Sequence, residues 1–204
     1  MSKKNDDDNS PEELNEGVKT AYVDRLKTLK QALDFTAKGN IPQSVEKFKH
    51  YLAILAAYNR TTEKYLSPKM FDSQKDIAEM LLVSQAYWNL AKSYDKSPKL
   101  RSESNRCLQQ FMAFTIGFKY QHANAQLIRR HLRSGKAHNK KAFQQVYEKI
   151  NVRSKNCYLA THAYPSNHEL LGSLRQFKYK LANYSCGMKF INFYYESSPH
   201  IVKA

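Results

Sequence analysis

Apolar residues recur every three or four positions along most of this chain, the spacing that places them on one face of an α-helix. A first face consists of Tyr22, Leu26, Leu29 and Leu33. Gly39 and Asn40 follow as a helix stop and a new N-cap, and a second face consists of Val45, Phe48, Leu52 and Leu55. Glycine and proline number only 6 each, too few for the regular turns of an all-β sandwich. The pattern therefore predicts helices joined by short turns.

The same periodicity continues through the rest of the chain. Four further helical faces centre on Trp88, Phe111, Ile128 and Phe143, with breaks at Ser97–Pro98 and Ser134–Gly135 and an N-cap at Asn139. Two shorter helices follow, and the apolar residues predicted to pack in the core are Leu170, Leu174, Phe177 and Leu181 on one and Phe190, Ile191, Phe193 and Tyr194 on the other. Residues 157–164 lack a helical face, which indicates a short extended segment.

These elements predict an all-α fold, an antiparallel helix bundle followed by a small two-helix module. Residues 1–16 have no apolar periodicity and carry clustered acidic side chains, so we expect a disordered tail there. Residues 17–155 are expected to form the helical domain. Residues 156–204 are expected to form the C-terminal module, packed on that domain.

The charge is unevenly distributed along the chain. The formal net charge is +15, and residues 99–204 hold 18 basic side chains against 4 acidic ones. Such a positive field favours anionic partners, which include nucleic acid, anionic lipid and acidic protein surfaces.

The densest basic run has no acidic residue between positions 129 and 141. Its cations are Arg129, Arg130, Arg133, Lys136, Lys140 and Lys141. One interpretation is a solvated helix end, where cations complement the helix dipole. The other is an anion or nucleic-acid site, in which each cation neutralises a phosphate. No nucleic-acid-binding motif frames the run, so the solvated end is favoured.

The segment ALDFTAKGNIPQSVEKFKHYLAI carries small and aromatic residues in a helical-hairpin order. It resembles a tetratricopeptide unit, with Ala32 and Phe35 on the first helix and Phe48 on the second. A weaker echo, with Ala91, lies 59 residues further on, whereas a true array repeats about every 34 residues. The resemblance implies tetratricopeptide-like hairpins in the N-terminal half, and an ordinary antiparallel bundle fits the same pattern.

Three ordered blocks, CYLATHAYPSN, LRQFK and GMKFINFYYESSPH, occupy the C-terminal part of the chain. They resemble the CFI-box C-terminal domain, a module appended to varied bacterial proteins for which a sorting or processing role has been suggested. The matching positions include Cys157, Tyr158, Ala160, Thr161, Tyr164, Arg175, Phe177, Gly187, Tyr194, Tyr195 and Pro199, with further matches at Leu159, Ala163, Leu174, Phe190 and Ser198. The chain departs from the pattern at His162, Pro165, Tyr179 and Met188. The resemblance implies a C-terminal module and no particular reaction.

Thiol and imidazole groups near the C-terminus raise the question of a reactive or metal-binding site. Cys157 and Cys186 lack the close Cys-x₂₋₄-Cys spacing of structural zinc sites, so we predict no metal site and no cofactor. Cys157 with His162 is the one catalytic candidate. Glycine-rich phosphate loops, nucleophile elbows and His-Glu-x-x-His motifs are missing from the sequence, which favours a non-enzymatic protein.

The sequence therefore favours a non-enzymatic interaction or scaffold protein that binds a protein partner through a helical groove. The alternatives are a basic nucleic-acid-associated protein and, more distantly, a Cys157-dependent enzyme. An odd number of cysteines and a polar N-terminus without an apolar leader predict a cytoplasmic protein. No run of the sequence is long and apolar enough to span a bilayer, so no transmembrane segment is expected.

Overall fold

The computed structural model describes residues 15–153 and 168–201. Within these ranges the chain forms α-helices and short 3₁₀ turns but no strand, which confirms the all-α prediction. The helices are α1 (Glu16–Ala37), α2 (Ile41–Tyr58), α3 (Ile77–Asp95), α4 (Arg101–Ala113), α5 (Gln121–Arg133), α6 (Lys140–Val152), α7 (Glu169–Leu181) and α8 (Ser185–Ile201). The 3₁₀ turns are Glu63–Tyr65, Pro68–Met70 and Pro98–Leu100.

The chain divides into two compact units between Leu66 and Ser67. The first contains α1 and α2, and the second contains α3 to α8. The predicted boundary near residue 155 and the extended segment at 157–164 lie outside the described residues, so both stay predictions. Most of the predicted tail also lies outside them, while Asn15 caps α1 and Glu16 opens it.

Asparagine caps and glycine stops set several of the helix ends. Asn40 Oδ1 accepts a hydrogen bond from Gln43 N at 3.4 Å, and Asn139 Oδ1 accepts one from Ala142 N at 3.4 Å. Gly39 and Gly135 follow α1 and α5 with φ of 73° and 71°, the left-handed region in which glycine lacks a steric penalty. The predicted caps and stops at these positions are confirmed.

In the first unit, α1 and α2 form a helical hairpin that closes over a small residue. Ala32 is fully buried, and Ser44 Oγ donates a hydrogen bond to the Ala32 carbonyl oxygen at 3.0 Å. The predicted face of α1 is partly wrong, since Leu26 and Leu33 are about half exposed. The small side chain of Ala32 lets α2 approach closely, so the contact line between the helices follows Leu29 and Ala32.

The second unit repeats this arrangement in the α3–α4 hairpin. Ala91 is fully buried, and Ser104 Oγ donates to the Ala91 carbonyl oxygen at 2.9 Å. Ala32 and Ala91 are the positions that the 59-residue sequence echo aligns. The echo therefore corresponds to the same structural device in two hairpins, an alanine at the helix crossing and a serine hydroxyl that bonds to its carbonyl group.

Aromatic rings fill the core of the second unit. The Trp88 ring centroid lies 5.4 Å from that of Phe111 on α4 and 5.7 Å from that of Phe143 on α6. Rings at such distances gain favourable edge and tilted contacts in addition to the area that they bury. Trp88 thus joins three helices at one point.

A buried amide adds directional bonds to this apolar core. Asn124 on α5 is fully buried, and its Oδ1 accepts a hydrogen bond from Gln85 Nε2 at 2.8 Å. Its Nδ2 donates to Ser84 Oγ at 3.0 Å and to Thr115 Oγ1 at 2.8 Å. Because a buried polar group that loses its partners is costly, this network specifies the register of α3, α5 and the turn after α4.

Asp95, the last residue of α3, ties the α5–α6 loop to the core. Its carboxylate is 2% exposed and accepts hydrogen bonds from the backbone N–H groups of His138 at 2.7 Å and Asn139 at 3.0 Å. Asn139 is the N-cap of α6, so this contact fixes where α6 begins. It thereby also fixes the positions of Lys140 and Lys141.

We expect Asp95→Ala to lower the free energy of unfolding by about 2–4 kcal/mol, because it removes a buried carboxylate acceptor from two backbone N–H groups of the α5–α6 loop. Urea unfolding followed by circular dichroism measures the loss. Asp72→Ala is the matched control. Asp72 also accepts two backbone N–H bonds, from Gln74 at 2.7 Å and Lys75 at 3.1 Å, but within one exposed turn. Equal losses in the two variants would contradict a special role for the Asp95 contact.

Candidate functional site

An apolar groove lies between α7 and α8. It encloses about 250 Å³, and its lining is formed by Leu174, Phe177, Lys178, Leu181, Phe190, Ile191, Tyr194 and Tyr195. The face of α7 with Leu174 and Phe177 meets the face of α8 with Phe190 and Tyr194. We call this feature the α7–α8 groove.

Local sequence explains how the two helices come together. His168 caps α7 by accepting a hydrogen bond from Leu170 N at 3.2 Å on its Nδ1. Gly187 lies in the first turn of α8, where an added Cβ would stand 1.9 Å from the Leu181 carbonyl oxygen. Only glycine allows this approach. The first of the two helices ends at Leu181, so Gly187 lies inside α8 and does not terminate α7.

The buried side of the module contains one charged group. Lys178 is 8% exposed, and its Nζ donates hydrogen bonds to the Asn151 carbonyl oxygen at 3.4 Å and to Tyr195 Oη at 3.1 Å. These bonds join α7 to the end of α6 and to α8. Leu171, Ile191 and Tyr195 are buried beside it. Lys178 therefore sets the orientation of the groove, a role that its sequence context gave no sign of.

The outward side of the module departs from the sequence prediction. Phe177, Phe190 and Phe193 are 58%, 57% and 65% exposed, and Leu170 is about half exposed. The prediction that these side chains pack in the core is wrong. The apolar stripe on each of these two helices is wider than the area that neighbouring helices cover. Only part of each stripe is therefore buried.

The exposed phenylalanines forgo a favourable free energy of burial. Burying a phenylalanine side chain stabilises a folded chain by about 1.5–3 kcal/mol relative to leaving it in water. Clustered apolar side chains on a surface are typical of binding sites for proteins, ligands or membranes. The α7–α8 groove is therefore the strongest candidate site among the described residues.

The two helices of the module carry an excess of positive charge. Arg175, Lys180 and Lys189 belong to α7 and α8, whereas Glu169 is the acidic side chain described on these helices. Lys180 and Lys189 are exposed, and Arg175 is half-buried. The apolar groove thus lies between helices of net positive charge among the described side chains.

Several residues of the CFI-box resemblance meet at this groove. Phe177 and Tyr194 line it, Tyr195 lies at its floor and Gly187 sets the helix approach. Arg175 is half-buried on α7 and does not line it. Residues 157–164, with Cys157, Tyr158, Ala160, Thr161, His162 and Tyr164, lie outside the described residues, and so does the side chain of Pro199.

The basic run predicted as an anion site spans the end of α5, the loop and the start of α6. Arg130, Arg133, Lys136, Lys140 and Lys141 are exposed, and Arg129 is half-buried. Arg129 Nη1 donates to Gln126 Oε1 at 3.4 Å. Lys141 also lines a cavity with Lys149, a cation that the sequence interpretation did not single out. The polar residues that recur every four positions along α6 are the sequence feature that could have identified Lys149.

Burial and cationic side chains close to this run lower the pKa values of Lys92 and His131. Burial lowers the pKa of Lys92, and Lys96 and Lys136 lower it further. Its Nζ lies 5.4 Å from the Trp88 ring centroid. Burial also lowers the pKa of His131, as do Lys92, Lys136 and His138, while Asp95 acts in the opposite direction.

The described thiols do not form a reactive cluster. Cys107 is buried on α4, and Cys186 is exposed at the start of α8. In the part of the chain that the structure describes, no three histidine, cysteine or acidic side chains are grouped so that they could hold a metal ion. Cys157 with His162 lies outside that part, so the catalytic candidate stays a prediction.

Comparison of the chain with protein-family models, with curated proteins and with solved structures gives no match. The CFI-box and tetratricopeptide-like resemblances therefore stay predictions based on sequence motifs. None of the helices in the described ranges has the length and apolar character needed to cross a membrane.

We expect Gly187→Ala to destabilise the fold by about 2 kcal/mol, because the new methyl group would overlap the Leu181 backbone. Gly172→Ala is the matched control, since Gly172 lies in α7 with no atom within 4 Å of an added Cβ. That variant should gain about 0.5–1 kcal/mol from its better helix propensity. Urea unfolding of both variants measures the difference. Equal stabilities would contradict the close approach of α8 to α7.

We expect the protein to lose stability as the pH falls from about 7.5 to about 5.5. The unfolded chain protonates His131 near its ordinary pKa of 6.5, whereas the folded site has a lowered pKa. The unfolded state therefore binds more protons below that pH, and stability declines there.

Urea unfolding at the two pH values measures this decline. His131→Phe keeps a ring against Trp88, whose centroid lies 5.4 Å from that of His131, and should reduce the pH dependence. A smaller dependence should persist from His122, whose pKa is lowered by burial and by Arg129. A His131→Phe variant with unchanged pH dependence would contradict this account.

Proposed function

We propose that this chain is a non-enzymatic interaction protein whose α7–α8 groove binds an amphipathic helix of a protein partner. The observation that carries the proposal is the exposure of Phe177 and Phe190 on facing helices around one apolar groove. Binding would bury side chains that folding leaves in contact with water.

The size of the groove supports a helical ligand. The 13 residues of α7 span about 20 Å at 1.5 Å per residue. A partner helix of three to four turns covers about that length and presents apolar anchors at positions i, i+3, i+4 and i+7. Leu174, Phe177 and Leu181 offer contacts at the same spacing.

The charge of the module supports an acidic partner. Arg175 and Lys180 are sequence neighbours of the lining residues Leu174 and Leu181, and glutamate or aspartate side chains on the polar flanks of a bound helix would complement them. Such exposed pairs contribute more to partner choice and association rate than to affinity. Affinity would come from the aromatic anchors.

The polar groups in the groove support binding without chemistry. Lys178 Nζ and Tyr195 Oη bond to each other at 3.1 Å, so both are engaged in holding the module together. The other lining residues supply apolar area, apart from the Tyr194 hydroxyl group.

The test uses a fluorescein-labelled synthetic peptide of about 14 residues, with leucines on one helical face and glutamates on the other. Fluorescence anisotropy with the full chain should show saturable binding. Phe177→Ala should weaken it about tenfold or more, as expected for an aromatic anchor. A peptide with lysine in place of glutamate should bind more weakly because the chain carries a net positive charge.

Phe193→Ala is the matched control, because Phe193 is similarly exposed but does not line the groove. It should change the affinity by less than about twofold. Equal effects of the two substitutions, or no binding by the parent chain, would refute the proposal. Self-association of the parent chain that Phe177→Ala abolishes would instead identify a second copy as the occupant.

A further inference from the structure

A second groove, of different chemistry, runs between α4 and α6. On α6, Lys141, Gln145, Lys149 and Arg153 succeed one another every four residues at its edge, with Arg153 as the C-cap. On α4, Asn105 and Gln109 have the same spacing on the opposite edge. Residues four apart lie on one side of a helix, so two polar rows face each other. We call this feature the α4–α6 groove.

Two cavities lie in this groove. One of about 290 Å³ lies between Asn105, Gln109 and Lys141, and one of about 430 Å³ lies between Gln109 and Arg153. A third cavity, of about 350 Å³, borders the same row of α6 and is lined by Met188 on α8 instead of by α4. Lys149 lines all three. Lys149 is therefore the central cation of the row.

The charges in this groove are unbalanced. Lys141, Lys149 and Arg153 are exposed. Ion pairs such as Lys19 with Glu16, Lys27 with Asp24 and Arg106 with Glu103 lie elsewhere in the described part of the chain and do not engage these three cations. Glu148 lines the cavity between α6 and α8, and its Oε1 accepts a hydrogen bond from Gln144 Nε2 at 2.8 Å.

The spacing of the cations suits an extended ligand. Lys141 and Lys149 are about 12 Å apart along the helix axis, and Lys149 and Arg153 are about 6 Å apart, at 1.5 Å per residue. The amide groups of Asn105, Gln109 and Gln145 lie between and opposite them, where they can donate to anionic oxygens. A single small anion would engage only one part of this row.

The lining also indicates which part of a ligand is bound. Leu108, Met112 and Val146 form apolar floor, and the described lining of these cavities includes no aromatic ring. Proteins that hold nucleobases use aromatic side chains as stacking platforms. Lysine, arginine and amide groups instead bind phosphate oxygens without reading sequence.

We propose that the α4–α6 groove binds a single extended chain of phosphate groups, such as the backbone of a single-stranded nucleic acid. Packed helices have axes about 8–10 Å apart, so the groove between them admits one strand and is too narrow for a duplex. The proposal is independent of peptide binding at the α7–α8 groove.

The test measures binding of a labelled oligothymidylate of about 20 nucleotides to the full chain by fluorescence anisotropy over a range of salt concentrations. Three phosphate contacts predict a slope of about −2 in log affinity against log salt concentration. The variant Lys141→Gln/Lys149→Gln/Arg153→Gln should therefore bind about 100-fold more weakly at about 0.1 M salt.

The matched control is Arg130→Gln/Arg133→Gln/Lys140→Gln. It removes the same formal charge from exposed positions that do not line the groove. Its affinity should fall far less. Equal losses would attribute binding to overall charge, and a larger loss in the control would assign it to the basic run at 129–141. Either result, or a parent chain that fails to bind at about 50 mM salt, would overturn the proposal.

Further measurements distinguish loss of the groove from loss of folding, and identify which phosphate ligand is recognised. Lys149→Gln alone should make the slope shallower by about 0.7, with an unchanged circular dichroism spectrum. Competition by inorganic polyphosphate would identify the phosphate chain as the recognised group, and competition by single strands alone would identify nucleic acid. Phe177→Ala should bind the oligonucleotide normally. Tighter binding of a duplex of the same length would overturn the single-strand proposal.

Discussion

The Asp95 carboxylate connects the core of the second unit to the surface that carries the positive charges of that unit. Its two bonds to the backbone of His138 and Asn139 hold the loop that precedes α6. The start of α6 in turn sets the phase of every residue on that helix, including the row from Lys141 to Arg153. A buried acceptor that satisfies two N–H groups is thus the constraint on which the α4–α6 groove depends.

Small residues set the helix contacts in both units. Ala32 and Ala91 stand at hairpin crossings, each with a serine hydroxyl bonded to its carbonyl group. Gly187, which lacks a side chain, likewise allows α8 to approach the end of α7 closely. The helix contacts follow these small residues. Apolar side chains beside the contact, such as Leu26 and Leu33 on α1 and Phe177 and Phe190 on α7 and α8, stay exposed.

The second unit therefore presents two surfaces of contrasting chemistry. The α7–α8 groove is apolar, and it suits an amphipathic helix. The α4–α6 groove is polar and cationic, and it suits a chain of phosphates. Met188 of α8 lines a cavity beside Lys149 and Arg153, so α8 borders both surfaces. A protein that joins an acidic partner to a polyanion is a coherent interpretation of this pairing.

Local sequence determined the helices of this protein, because periodicity, the caps Asn40 and Asn139 and the stops Gly39 and Gly135 act within a few residues. The excess of positive charge and the motif resemblance in the last two helices could also be read from the sequence alone. The tertiary structure alone decided which apolar faces are buried and which cations share a groove. Periodicity marks a stripe but not how much of it a neighbouring helix covers, so Phe177 and Phe190 were misassigned to the core. Lys149 acquires its place only when α4 packs beside α6.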